Sequence, residues 1–572
     1  MIGVVSRTEE SAAVEEFFQL FKTPWEPFHS GRSYDVILVT RDEVPAAEAK
    51  LLLIFGADAR TGDTGRGITA KKKQRGGDLE DEAGQIPIYG EVLTFEPAAG
   101  GSPCLAGLCG IAGLKFGVGD RTVLRLGYDL FGEIQHLLSA GQPADKAHIP
   151  AFELHIQLLR RWMTEAGISF VEIPPAPAGY SFAVCLTHDI DFVGIRRHKF
   201  DHTIAGFLYR ATLGALLDFV RGRQGLGRLL GNWWSVLSLP LVHLGLAKDF
   251  WLQFDAYRAI EKGLSATYYF IPFKHRPGEN VRVSHASRRA SAYDICDVSE
   301  LIGALMEDGC EIGVHGIDAW HNAAKGREEL ARVAAATRRE QIGIRMHWLL
   351  RDESTMGALE AAGYAYDSTV GYNETVGFRC GTGQVYCPPG AKRLLELPMH
   401  IQDGALFFAN RLGLSDDEAR ERCEPLIQAA KRFGGVLTVL WHDRSLGPER
   451  FWGDFYVGLV DSLKSMNIWF ANAGRVVAWF RSRRDIKFTR VESADGTALI
   501  QLSSNGRMIS PPLVVRVHQA ADAGERGPAR HQEEPAFRDC PWTGESSLEL
   551  RQSRSVASNA TSICVPAACQ SA

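Results

Sequence analysis

From Tyr180 onward the sequence alternates short apolar runs with stretches of helical periodicity. Such alternation is typical of parallel strands linked by helices, and it predicts an α/β fold. In that architecture functional side chains gather at the carboxyl ends of the strands. All of the runs except the second lead into His or Asp. The five runs are residues 182–187, 266–271, 311–315, 394–400 and 436–442.

The first of these runs stops in two carboxylates at alternate positions, Asp189 and Asp191. Residues two apart on a strand share a face, so both carboxylates are expected to reach one site. One of them could bind a metal while the other accepts a proton from water. The alternative is a solvated strand end or a helix cap, both of which favour Asp.

The third run delivers one imidazole at its end and a second six residues later, His315 and His321. Neutral imidazole is the commonest metal ligand among side chains. Two His and one carboxylate, with positions left open to water and substrate, suit a hydrolytic Zn, Co or Mn centre. A single His is more often a structural residue, but a pair that accompanies the Asp pair favours the metal.

The last run ends at His442, which is followed by Asp443. A strand-terminal His beside Asp can be held in one tautomer and protonated, which predicts a general acid. A surface His at a strand end is the alternative. Arg345 is predicted to orient the base Asp or substrate carboxyl groups through its fork of donors. An ordinary salt bridge would explain it as well.

The chain divides into four parts by composition. Residues 1–172 predict a small α/β domain with strands at 34–40 and 51–56, and with helices at 124–138 and 149–166. A Gly-rich, charged stretch at 57–85 is expected to be a disordered loop. Prolines in 173–179 mark the boundary to the second domain, 180–482. Residues 485–518 alternate with a period of two and predict a small β appendage, and 519–572 predict a disordered tail.

Composition excludes some partners and suggests a compartment. The net charge of -5 and the pI of 6.4 give no basic surplus for nucleic acid. The first residues meet Glu9 before any apolar run develops, so a cytoplasmic address is expected. Eleven cysteines without paired spacing fit buried thiols in a reducing compartment.

A helical insertion at 203–249 separates the first two runs. Its stretch 229–247 has no charge and is close to bilayer-spanning length, but it contains Asn232, Pro240 and His243. Flanking Arg residues and the pair Trp233 and Trp234 favour a segment that lies at a membrane interface. The chain would then be peripheral at the inner membrane. A substrate lid or a buried helical hairpin is the alternative.

The ordered motifs resemble those of the NodB-homology polysaccharide deacetylases over some 300 residues. The nearest likeness is to a bacterial group from exopolysaccharide gene clusters, through residues 366–379 and the preceding domain. The chain also resembles the deformylase of undecaprenyl-linked aminoarabinose in its first two motifs. The motifs are Thr187-His-Asp-Ile-Asp191, Glu311-Ile-Gly-Val-His315, Arg345, Leu397-Pro398 and Leu440-Trp-His442.

The resemblance implies a distorted (β/α) barrel and a divalent metal, Zn with Co or Mn as alternatives. The metal is expected on Asp191, His315 and His321, with Asp189 as base and His442 as acid. Trp441 and Asp318 are expected to contact substrate. This sequence departs from the family at two points. Ile190 separates the two carboxylates, so their roles could be exchanged. The position four residues after His315 is Ala319, which leaves the second His two residues farther on.

The expected function is hydrolysis of an N-acetyl or other acyl group from an amino sugar of a bacterial polysaccharide or lipid-linked glycan. One alternative keeps the chemistry and changes the bond to a formamide or cyclic amide, since the metal does not choose the acyl group. The other is a catalytically silent glycan-binding or assembly module, because fold does not imply function. Bound metal separates the two classes.

Overall fold

A computed structural model describes residues 1–81, 84–281, 285–494, 497–504, 510–520 and 537–551. The N-terminal domain is built on one nine-stranded mixed sheet in the order β2-β1-β3-β4-β9-β8-β6-β5-β7. The first five are parallel and the others antiparallel. The strands are β1 Ile2–Val5, β2 Trp25–Pro27, β3 Val36–Val39, β4 Leu51–Phe55, β5 Ala70–Asp81, β6 Gly84–Phe95, β7 Gly101–Gly107, β8 Gly110–Val118 and β9 Arg121–Leu126.

Strands β3 and β4 are buried at every residue, which is why their sequences read as continuous apolar runs. The helices of this domain are α1 Ser11–Phe21, α2 Thr61–Thr64, α3 Leu130–Ser139 and α4 Ala151–Glu165. The prediction of one helix over 124–138 was wrong in its first part. Residues up to Leu126 belong to β9, and α3 begins only after Asp129, whose side chain caps it.

The prediction of a disordered loop at 57–85 was also wrong for the residues that the structure describes there. They form α2, the whole of the twelve-residue strand β5 and the start of β6. Strand β5 pairs with β6 along nearly its whole length, and exposed Lys73 forms ion pairs with Asp58 and Glu91. The charged composition therefore belongs to the solvent side of a long hairpin, where pairing of the backbone supplies the order.

A half-barrel of seven parallel strands forms the centre of the second domain, in the order β14-β13-β12-β11-β16-β15, with β17 also paired to β11. Parallel bridges at Ile344–Asp367 and Asp367–Glu396 continue from the β14 edge. Residues 394–400 were predicted as a strand and hold only such bridges. The strands are β11 Ala183–Ile190, β12 Thr267–Phe270, β13 Glu311–Gly316, β14 Ile344–Met346, β15 Ile401–Gln402, β16 Val436–Leu440 and β17 Trp469–Phe470.

Helices connect these strands and cover the sheet, as parallel order requires. The first three form the insertion, in which a π-helical turn, Arg210–Gly214, joins α5 to α6. The helices are α5 His202–Tyr209, α6 Ala215–Val220, α7 Leu226–His243, α8 Phe254–Ile260, α9 Ser299–Glu307, α10 Ala323–Thr337, α11 Thr355–Ala362, α12 Asp403–Phe407, α13 Asp416–Phe433, α14 Gly453–Lys464 and α15 Ala473–Asp485.

The C-terminal strands form two separate three-stranded sheets instead of one appendage. One is antiparallel in the order β18-β19-β22, and the other, β10-β20-β21, takes its first strand from before the domain boundary. Two of these strands lie in the predicted disordered tail, whose other residues from 521 to 536 and from 552 on lie outside the described part. The strands are β10 Phe170–Glu172, β18 Lys487–Ala494, β19 Thr497–Ser503, β20 Leu513–His518, β21 Phe537–Trp542 and β22 Ser547–Arg551.

The two domains share one hydrophobic core and are joined by buried hydrogen bonds. The backbone N–H of Phe152 donates to Gly381 O at 2.9 Å, and the Thr382 hydroxyl donates to Glu153 Oε1 at 2.6 Å. Helix α4 therefore supports the loop that follows residue 376. The residues predicted to carry the catalytic chemistry lie in the other domain of this contact, in the half-barrel.

Candidate metal centre

Asp189 and Asp191 stand at the carboxyl end of β11, the most central strand of the half-barrel. Asp189 is buried, and Asp191 follows the strand directly and keeps about a fifth of its side chain exposed. Burial opposes ionisation of Asp191, but His347, His315 and His442 around it hold its pKa well below the ordinary value. Asp191 is therefore an anion with one side open to solvent.

His315 is the penultimate residue of β13, two strands away from β11, and is almost fully buried. Its Nδ1 lies 3.0 Å from the carbonyl oxygen of Arg345, which has no proton to give, so Nδ1 carries the proton. The tautomer leaves Nε2 with a free lone pair. That nitrogen is 3.3 Å from Asp191 Oδ1. A histidine fixed in this way is ready to act as a metal ligand.

His347 completes the group and was not predicted from the sequence. It follows β14, and its Nδ1 lies 3.1 Å from Asp191 Oδ1 and 2.8 Å from His315 Nε2. Burial lowers the pKa of His347 to about 4, so the ring is neutral at pH 7, the form that binds metals. The ligand atoms of Asp191, His315 and His347 all lie within 4.8 Å of one another.

The three residues fit a divalent metal on one further observation. Asp191 Oδ1 is buried, yet it accepts no hydrogen bond within the described part of the chain, although two imidazole nitrogens are close to it. A buried carboxylate oxygen without a donor is costly, and a cation shared with the two imidazoles would satisfy it. One carboxylate and two neutral His form a donor set suited to Zn and its neighbours.

The prediction of His321 as the third ligand is corrected by this geometry. His321 lies outside the group, with its Nε2 3.4 Å from Asp318 Oδ1. Both residues belong to the turn between β13 and α10, which leads the chain away from the strand end. The second imidazole instead arrives from the neighbouring strand, because the register places His315 opposite Arg345 and His347 follows two residues later.

Arg345 is fully buried and holds Asp189. Orienting this carboxylate is one of the two roles predicted for Arg345. Its Nη1 donates to Asp189 Oδ1 at 3.0 Å and to Thr187 Oγ1 at 2.8 Å, while Nε and Nη2 donate to the backbone and side chain of Ser368. Because Arg345 is fully buried, it cannot contact a substrate carboxyl group. It leaves Asp189 Oδ2 directed toward His315, at 3.9 Å.

Loss of Arg345 should be strongly destabilising. We expect Arg345→Met to lower the free energy of unfolding by roughly 3–5 kcal/mol, because Asp189 would remain as a buried charge without its partner. Denaturant titration measures the change. Arg420→Met is the matched control, since the Arg420–Asp417 pair is exposed and should contribute no more than about 1 kcal/mol. Equal losses for both variants would contradict a buried pair at Asp189.

His442 lies beside Asp191 and is held by Asp403, the first residue of α12. Asp403 Oδ1 lies 2.6 Å from His442 Nδ1, and Oδ2 accepts the His442 backbone N–H at 2.8 Å. Burial by itself lowers the pKa of His442, but Asp403, with Asp191 and Asp189, raises it to about 9. The ring is therefore protonated at pH 7, with Nε2 3.9 Å from Asp191 Oδ2.

The neighbouring Asp443, which the sequence suggested as the partner of His442, has another role. Its Oδ2 accepts the backbone N–H of Phe192 at 3.1 Å. Burial raises the pKa of Asp443 to about 8. Asp443 therefore holds the chain just after Asp191, while Asp403 is the residue that orients the imidazole. Asp403 offered no distinct sequence signal, because it follows an irregular segment and a two-residue strand.

Trp441 and Asp318, both predicted to contact substrate, are part of the protein interior. Trp441 is fully buried and stacks on Phe455 and Tyr456 at centroid distances of 5.8 and 4.9 Å. Asp318 is buried as well, and its Oδ1 accepts the backbone N–H of Glu279 at 2.6 Å. Both predictions were wrong, because alternate residues past a strand end face opposite sides of the sheet.

Comparison with known proteins finds relatives in structure only. No family model matches the chain, and no curated protein matches its sequence. A protein from Mycobacterium smegmatis, named as a polysaccharide deacetylase, is 18% identical with a TM-score of 0.33, over 55% of this chain and 96% of its own. The chain is similar in structure to polysaccharide deacetylases.

Two further structures extend this comparison. The Puue allantoinase is 14% identical with a TM-score of 0.33, over 54% of this chain and 92% of its own. A Bordetella bronchiseptica protein, named as a polysaccharide deacetylase involved in O-antigen biosynthesis, is 13% identical with a TM-score of 0.22, over 53% and 91%.

Proposed function

We propose that the second domain is a metal-dependent hydrolase that removes an N-acyl group, such as acetyl, from an amino sugar of a glycan. One observation carries the proposal. The ligand atoms of Asp191, His315 and His347 converge, a buried carboxylate, Asp189, lies 3.9 Å from His315, and a protonated imidazole, His442, lies 3.9 Å from Asp191. Amide hydrolysis needs a base for the attacking water and an acid for the leaving amine.

The geometry supports a division of roles between the two carboxylates. Asp191 is the ligand, since its Oδ1 lies nearest to both imidazoles. Asp189 is the base, since Arg345 holds one of its oxygens and the other is free to accept a proton. This order agrees with the roles that the resemblance implied.

A divalent metal, which we take to be Zn with Co or Mn as alternatives, would polarise the acyl carbonyl and lower the pKa of a water molecule when bound. Asp189 accepts a proton from the attacking water while the oxygen of that water bonds to the acyl carbon. His442 then gives its Nε2 proton to the nitrogen as the carbon–nitrogen bond breaks. The products are a carboxylate and a free amino sugar. Asp403 keeps His442 protonated and aimed, because its two oxygens fix both ring and backbone.

The test combines metal content with product formation. We expect purified protein to bind one equivalent of a divalent transition metal and to release acetate from N-acetylated oligosaccharides. In His315→Ala both should be lost, since the ligand Nε2 is removed. His400→Ala is the matched control, because His400 is also buried but contacts Thr382 O and Thr438 N, away from the ligand group.

Three outcomes would contradict the proposal or narrow it. Wild-type protein without metal after loading with Zn, Co and Mn would favour a silent glycan-binding module. Bound metal with release of formate but not acetate from matched substrates would favour the deformylase alternative. Equal activity of His315→Ala and His400→Ala would show that the chemistry takes place elsewhere.

A further inference from the structure

Helix α7 exposes large apolar side chains to solvent, whereas a surface helix of a water-soluble protein normally buries them. Its buried residues, Leu229, Asn232, Ser235 and Val242, include two polar side chains. Its exposed residues follow helical spacing and are large and apolar. Trp234 and Leu237 are 70% and 72% exposed. The full exposed stripe is Leu230, Trp233, Trp234, Leu237, Leu241 and Leu244.

The helix that precedes α7 shows the same reversal. Residues His202–Val220 run through α5, the π-helical turn and α6. Ile204 and Phe207 in α5 are buried, but past them the buried residues are the small Ala211 and Ala215, while large apolar residues are exposed at helical spacing. The exposed stripe is Tyr209, Leu213, Leu216, Leu217 and Val220. Together the two helices, here called the insertion hairpin (residues 196–249), form a patch larger than scattered surface residues would produce.

One face of the insertion hairpin is fixed to the rest of the domain. Arg210 forms an ion pair with Glu449 at 2.7 Å, and Asn232 Oδ1 accepts the backbone N–H of Glu449 at 2.6 Å. His202–Val220 is long and apolar enough to cross a bilayer, with 28% of its apolar window buried. Because Arg210 in the middle of this helix is paired with Glu449, the helix stays attached to the domain and does not have lipid on all sides.

The charge of the insertion hairpin is opposite to that of the whole chain. Residues 196–249 hold eight Lys and Arg and three Asp, in a protein with net charge -5. Exposed Lys199 and Lys248 flank the base of the hairpin, and exposed Arg221 lies at its tip. None of these three cations has an acidic partner within the described residues. Cations around an apolar face with exposed Trp are typical of a segment that binds anionic lipid.

We infer that the insertion hairpin docks on an anionic lipid bilayer, with the α5–α6 and α7 stripes in the interfacial layer and Lys199, Arg221 and Lys248 at the headgroups. The buried alternative for this segment is contradicted by its exposure. A second copy of the chain would cover the apolar stripes, but it would carry the same positive charges and oppose them. Charge complementarity therefore favours lipid.

The candidate metal centre lies next to the base of the insertion hairpin. The insertion hairpin begins five residues after Asp191, and the Trp251 ring at its end packs against Phe192 and Arg444, beside Asp191 and His442. On the proposed function, the substrate would then be a glycan attached to a lipid carrier, presented at the membrane surface. The docking itself depends only on the hairpin and not on catalysis.

Vesicle co-sedimentation of the full chain tests the docking. We expect binding to vesicles of phosphatidylcholine with phosphatidylglycerol, and weaker binding to phosphatidylcholine alone or at high salt. Trp234→Glu with Leu237→Glu should weaken binding by about tenfold or more, because docking would bury these two apolar side chains in the lipid. Lys199→Gln with Arg221→Gln should weaken binding only to anionic vesicles. The matched control is Leu108→Glu with Val118→Glu, two exposed apolar residues of the N-terminal domain.

Two results would overturn the inference. The first is equal vesicle binding by the hairpin variant and the N-terminal control, each with a wild-type circular dichroism spectrum. The second is sedimentation velocity that shows a dimer without lipid, dissociated by Trp234→Glu with Leu237→Glu, together with no vesicle binding. Vesicle binding by a protein that releases no acetate would support the docking and count only against the proposed function.

Discussion

We expect His347→Ala to lose the bound metal and to lower turnover by roughly a thousand-fold, since metal activation contributes several kcal/mol to the barrier. The reason is geometric. His347 Nδ1 lies 3.1 Å from Asp191 Oδ1 and 2.8 Å from His315 Nε2, so its removal opens one side of the ligand group. Metal analysis of the purified variant and its rate of acetate release measure the two effects.

His321→Ala is the control for that experiment, because it removes an imidazole from the same region of the fold. His321 contacts Asp318 and lies outside the ligand group, so metal content and turnover should stay near their wild-type values. If His321→Ala lost the metal and His347→Ala kept it, the ligand assignment would be reversed. The two variants therefore test whether the second His ligand is His321, which the sequence predicted, or His347, which the structure places in the ligand group.

The second large effect is expected for His442→Gln, which should lower turnover by on the order of a hundred to ten thousand-fold with metal content unchanged. An amine is a poor leaving group until it is protonated, and the pKa of His442, raised to about 9, keeps this imidazole beside Asp191 protonated. The loss should be much smaller for an acetate ester of a nitrophenol, which leaves without a proton. Rates on both substrates measure the difference.

Asp403→Asn supports the same interpretation with a milder change. The amide still fills the space but loses the charge that keeps His442 protonated, so turnover should fall by about ten- to a hundred-fold. The loss should again be smaller for the nitrophenyl ester. An equal loss on both substrates, in either variant, would show that His442 does not act by giving a proton to the leaving group.

The strands that hold the site could be predicted because buried parallel strands must be apolar on both faces. Runs at 182–187, 311–315 and 436–442 coincide with β11, β13 and β16, and His or Asp side chains lie at or just past the carboxyl end of each strand. The long hairpin of β5 and β6 could not be predicted in this way. Strand β6 has buried apolar residues, but its partner β5 is charged and buries only Leu79, so the order of β5 comes from backbone pairing and leaves no apolar pattern.

The sequence by itself determined which strand ends carry ionisable groups, and it singled out Asp189, Asp191, His315 and His442, whose side chains lie close together in the structure. Only the tertiary structure decided the remaining partners. His347 follows a strand of three residues, and Asp403 follows one of two, so neither has a run long enough to stand out. Strand order brings β14 beside β13 and β15 beside β16. Metal ligation and proton transfer require side chains that are close in space, and that proximity follows the strand order and not the spacing along the chain.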